Sequence, residues 1–195
     1  MGKFERFSDL SLLYADHYHL VEAMGQQLDG ELGRLWITIE DAITERSWYV
    51  PGRHRVARGK YYVHLLLHPG DRAQAMARIQ IYLNAALLGT RLDEGEKPQK
   101  TRQFSADLAV VDTGVDLERV KSAFDQLARN DLIKNFGAAE YAPLSQSRNR
   151  YLVQSQRVCF ELDSILEQML AAIERLQPFF SMVEQAFETC QSKAG

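Results

Sequence analysis

Two stretches at opposite ends of the chain constrain its fold more than anything between them: residues 9–46 and 151–191, each spaced like a long amphipathic helix. In the C-terminal stretch apolar residues fall at Val158, Leu162, Ile165, Met169, Ala172, Leu176, Phe180, Val183 and Phe187. The steps are three or four, the spacing of one buried helical stripe. Pro178 cannot donate to the carbonyl four residues back, so the helix is expected to kink or break there. The N-terminal stripe runs Leu10, Leu13, His17, Leu20, Met24, Leu28, Leu32, Leu35, Ile39, Ala42, with Ser8 or Asp9 as N-cap. Gly25, Gly30 and Gly33 sit where the spacing slips. Each costs about 1 kcal/mol against Ala in a helix, which predicts a bend or a break into two helices. Neither stripe can be buried by its own helix. Antiparallel packing of the two arms is the simplest solution, and a homodimer through the arms is the rival.

The segment between them reads as a small antiparallel sheet with one helix. Residues 61–67 and 104–111 carry the branched and aromatic residues of strands. Residues 77–87 fit a half-buried strand, with Ile79, Ile81 and Leu83 alternating with polar neighbours, and also fit a short helix; two flanking strands favour the strand. Leu117, Val120, Phe124 and Leu127 have helical spacing, and Gly137 is a natural stop. Pro51-Gly52 marks a turn, residues 53–60 a basic loop, and residues 93–102 a polar loop. The expected fold is therefore α+β: long N- and C-terminal helices packed antiparallel (residues 1–47 and 151–195), with a small sheet and one helix (residues 48–150) inserted as a head. At 195 residues with 46% apolar and 25% charged content, one folding unit of ordinary composition suffices. No apolar run approaches the ~18 residues of a membrane span, and no secretory signal opens the chain, so the expected location is cytoplasmic. Cys159 and Cys190, tens of Å apart on a continuous helix, are expected to be buried thiols, neither a disulfide nor a zinc site.

Charge is the feature that bears on function. The chain is −3 overall, yet residues 46–91 hold eight Lys and Arg against one acid, a net of +7, while residues 1–45 stand at −6. A basic cluster of this kind can hold an anionic macromolecule, either an acidic protein or a nucleic acid whose phosphates meet Arg and Lys while aromatic rings stack on bases. The candidate contacts are Trp48, Arg53, Arg55, Arg58, Lys60 and Tyr61. The competing explanation is that these residues answer the acidic arm. Reversing their charge would then lower stability and remove no binding.

Motifs for chemistry are sparse. Gly52 and Gly59-Lys60 are too far apart for a P-loop and precede a strand. His64 and His68 lie about 13 Å apart along a strand, a poor metal pair. No cofactor or metal is expected. The one constellation for acid–base work lies on the sheet face opposite the core, where Tyr62, His64, Tyr82, Asn84 and Asp107 would meet if the strands pair. The reading is thus a non-catalytic interaction or regulatory protein whose basic head segment docks an anionic partner. The alternative is a hydrolase or nuclease-like enzyme with a site around His64, Tyr82 and Asp107.

Overall fold

The computed structural model describes residues 8–68, 74–88, 102–111, 122 and 150–192. Ser8 starts the first helix, α1 (Asp9–Asp16), its Oγ accepting the Ser11 amide at 3.2 Å. The helix gives way at His17 and continues at once as α2 (Tyr18–Thr44). The expected break at Gly25, Gly30 and Gly33 does not occur; α2 runs through all three. Its C-terminal half is anchored by Leu32, Trp36, Ile39 and Ile43, all buried, and tertiary packing of this kind outweighs a helical glycine's local cost.

The sheet has five strands: β1 (His54–Arg58), β2 (Tyr62–Leu67), β3 (Ala77–Tyr82), β4 (Arg102–Val111) and β5 (Arg150–Phe160). They lie in sequence order, each antiparallel to the next. Pro51 and Gly52 form the tight turn before β1: Arg53 donates to Val50 O at 3.1 Å, and Gly52 takes φ +86°, the value a type II turn demands at its third position. The ambiguous stretch 77–87 begins as strand β3, followed by one helical turn, α3 (Ala85–Leu88). A 3₁₀ turn (Leu162–Ser164) then leads into α4 (Ile165–Leu176) and α5 (Phe179–Ser192), with the predicted break at Gln177-Pro178 between them.

Strict alternation builds the core. Val63, Leu65 and Leu67 on β2, Ile79 and Ile81 on β3, and Phe104, Ala106 and Leu108 on β4 point to one face of the sheet. That face is covered by the buried stripe of α2, by Met169, Ile173 and Leu176 of α4, and by Phe179, Phe180 and Val183 of α5.

Three expectations are corrected. The antiparallel pair of long terminal helices is not formed, because the C-terminal arm opens as strand β5 and its helices are only 12 and 14 residues long. Val158 and Leu162 are four apart, which mimics a helical step, yet Val158 pairs with Phe104 and Phe160 with Arg102 across the sheet. Residues 54–58, read as part of a basic loop, form the edge strand β1. Cys159, expected to be buried, is an exposed free thiol, because strand alternation turns it away from its buried neighbour Phe160. The helix expected around Leu117–Leu127 (apart from Ser122), residues 93–101 of the expected polar loop and the side chain of Cys190 lie outside the described residues, while Arg102 opens β4. Among the described residues, no helix is long and apolar enough to cross a membrane.

Candidate functional site

The basic segment folds as the β1–β2 hairpin, and its tip rests on α2. Gly59 N–H bonds to Tyr62 O at 2.9 Å, closing a two-residue loop of Lys60 and Tyr61. The ring of Tyr62 lies so close over Gly59 that a Cβ there would collide with it. The indole of Trp36 donates to Lys60 O at 3.2 Å, fixing the tip to the helix.

Of the four candidate basic residues at 53–60, three are paired with acids of the helices. Lys60 Nζ sits 2.8 Å from Asp29, and Arg58 pairs with Glu40, both acids on α2. Arg53 grips Glu184 of α5 through Nε (2.8 Å) and Nη2, and Arg46 meets Glu174 of α4 at 2.9 Å. The Asp29 carboxylate holds the Lys60 ammonium above its ordinary pKa, and the bidentate contact with Glu184 raises that of Arg53. Exposed pairs of this type are screened by solvent and contribute little, so they orient the hairpin more than they stabilise it. The candidate aromatics are also engaged, Trp48 and Tyr61 packing against the core.

Arg55 is different. In β1 it points away from the helices and is exposed, and among the described residues it makes no ion pair. The register places it in one row with Leu66 and Arg78, on the face of the sheet opposite the core. The next row on that face is Ala57, His64, Gln80 and Asp107, and Tyr62, Tyr82 and Ser105 follow. The pairing therefore brings together the residues singled out for acid–base chemistry. Tyr62 stacks on His64 at 4.2 Å, His64 Nε2 is 2.9 Å from Gln80 Oε1, and Asn84 Nδ2 donates to the Tyr82 hydroxyl at 2.8 Å. Ser105 donates to Asp107 at 3.4 Å. Gln80 lies between His64 and Asp107, which sit two strands apart, about 9.5 Å at ordinary strand spacing. Among the described residues, no three His, Cys, Asp or Glu side chains gather as a metal site would require.

Residues that sequence reasoning did not single out are the acids that receive the basic segment: Asp29, Glu40 and Glu184 for the hairpin and its approach, and Glu174 for Arg46. Their only signal is the negative balance of the arms, which names no partners. His54 likewise reads in the sequence as one member of a basic loop. It is buried, ringed by Trp48, Tyr49 and Phe180, and its Nδ1 accepts the Val50 amide at 3.0 Å. Burial, reinforced by the Arg53 charge, lowers its pKa below the ordinary 6.5. The unfolded chain then takes up a proton before the folded one does. The stability contributed by neutral His54 is present above pH 6.5 and is lost as pH falls below it. The melting temperature is expected to drop between pH 7 and 5, and His54→Asn to flatten that slope. An unchanged slope in thermal melts of the variant would show that His54 is not its source.

Comparison with protein-family models, curated proteins and solved structures finds no match to this chain.

Proposed function

We propose that this chain is a non-catalytic interaction protein of the cytoplasm whose head docks an anionic partner, a nucleic acid or an acidic protein, on the face of its sheet opposite the core through Arg55. The observation that carries this reading is the division of labour among the basic residues. Arg53, Arg58 and Lys60 are occupied by Glu184, Glu40 and Asp29, whereas Arg55 faces outward beside Leu66, Arg78 and the stacked pair of Tyr62 and His64. A guanidinium next to aromatic rings on a sheet suits a chain that offers phosphates and bases, or carboxylates and apolar side chains.

Fluorescence anisotropy with a labelled single-stranded oligonucleotide, and with a labelled poly-glutamate peptide, tests it. Binding of one probe is expected, weakening linearly with salt in logarithmic form. Arg55→Glu is expected to weaken it at least about tenfold and, for the oligonucleotide, to reduce the salt slope by about 1, with no change in melting temperature. Arg58→Glu and Lys60→Glu are expected instead to lower the melting temperature modestly, by roughly 2–4 °C for Arg58→Glu. Absence of binding of either probe at about 50 mM salt would sink the proposal.

A further inference from the structure

Among the described residues, the N-terminal half of the long helix has nothing to pack on. Every described side chain from residue 11 to 27 is exposed, including Leu13 (55%), Leu20 (60%), Val21 (46%) and Met24 (62%). The stripe they form is the one that the head buries further along: 13, 17, 20, 24 and 28 lead in steps of three and four to Leu32, Leu35 and Ile39. One half of this pattern is therefore satisfied by the chain's own sheet and the other half by nothing among the described residues. The exposed half is also a poor helix by itself. It spans 17 residues, contains Tyr18, His19, Val21 and Gly25, and has no salt bridge among its described side chains. A helix of that length and composition is marginal in water without a packed face.

We propose that this face is covered by the same segment of a second copy, the two helices running antiparallel. The area suits a weak dimer. With Tyr14 included, five large apolar side chains on this face are each about half exposed. At roughly 80–100 Å² apiece this is about 400–500 Å² per copy, or about 800–1,000 Å² for the pair, the size of a small interface. The stripe's helical spacing fits another helix. Orientation follows from sterics. The chain's own sheet covers the stripe from Leu32 onward, so a parallel copy would run into the head, whereas an antiparallel copy fills the open stretch of about 25 Å and ends before it. A two-fold axis near residues 18–20 makes the contact self-complementary and closed. Charge decides against the anionic partner as occupant of this face, because residues 9–33 contain Asp9, Asp16, Glu22, Asp29 and Glu31 and no Lys or Arg. Asp16 lies beside the stripe and Glu22 on the far side of the helix, so two apposed stripes do not bring those carboxylates together.

Sedimentation velocity on the full chain at micromolar concentrations tests this. Wild type is expected to sediment at twice 22.3 kDa, and the Leu20→Asp/Met24→Asp variant as a monomer with reduced helical circular dichroism and unchanged tryptophan emission from the head. A nitroxide at Ser11, with both cysteines replaced by Ser, is expected to report about 25 Å between copies; about 10 Å would mean parallel helices and overturn the arrangement. A monomeric wild type overturns the proposal. In that case, a fall in melting temperature on Leu20→Asp would assign the face to the chain's own remaining residues. A dimer that survives the double substitution also overturns it.

Discussion

Trp36→Ala is expected to remove about 4 kcal/mol of stability, the largest loss from any single truncation in α2. Trp36 is 1% exposed, lies at the centre of the face that α2 lays on the sheet, and is the largest fully buried side chain. Its removal opens a cavity that neither the helix nor the strands can close, since both are held by continuous hydrogen-bond ladders. It also takes away the N–H that meets Lys60 O, loosening the hairpin tip. Ile37→Ala supplies the control: its side chain is 46% exposed one residue along, and its replacement is expected to change stability by no more than about 0.5 kcal/mol. Urea unfolding followed by circular dichroism measures both. Equal midpoint shifts for the two variants would refute the placement of α2.

The second large effect separates two adjacent leucines. Leu65→Asp is expected to abolish the folded state, whereas Leu66→Asp is expected to cost about 1 kcal/mol. Leu65 is 1% exposed and pairs with Val56 and Ile79 on the face packed by α2 and α4, where a carboxylate finds no partner. Leu66 pairs with Arg55 and Arg78 on the other face, is half-buried, and would bring its carboxylate to two guanidiniums. Because the side-chain period of a strand is two, a one-residue slip would exchange these outcomes. Soluble yield and the amide dispersion of a proton–nitrogen NMR spectrum distinguish them. A well-dispersed Leu65→Asp alongside an unfolded Leu66→Asp would mean the register is wrong.

Residues 61–67 and 104–111 were legible as strands, because branched and aromatic residues alternate within a short window and turns bound them. The Pro178 break was legible for an equally local reason, a missing N–H. Residues 54–58 were not, since His54, Arg55 and Arg58 read as solvent-facing charge, and only pairing with β2 makes them a strand. Residues 151–160 misled in the opposite direction. Val158, Leu162 and Ile165 continue the helical steps of α4 backwards, so the period gives no warning that the strand ends at Phe160. For the candidate site, the sequence located the excess of positive charge, and it also placed Tyr62, His64, Tyr82 and Asp107 on one face. It could not say that the acids of α2 and α5 occupy Arg53, Arg58 and Lys60, because those partners lie 18 to 131 positions away.

What this chain's sequence determined by itself is whatever a window of ten or fifteen residues decides: the long N-terminal helix, the period-two strands β2 and β4, the Pro-Gly turn and the break at Pro178. Hydrophobic period, cap and turn chemistry act over that range. The tertiary structure alone decided that the C-terminal arm opens as the fifth strand, and that half of the N-terminal stripe is buried by the sheet while the rest is exposed among the described residues. It also decided which arginine faces outward. Each of these depends on what lies opposite in space, and burial, strand pairing and charge pairing have energies set by neighbours that the chain supplies from far along its length.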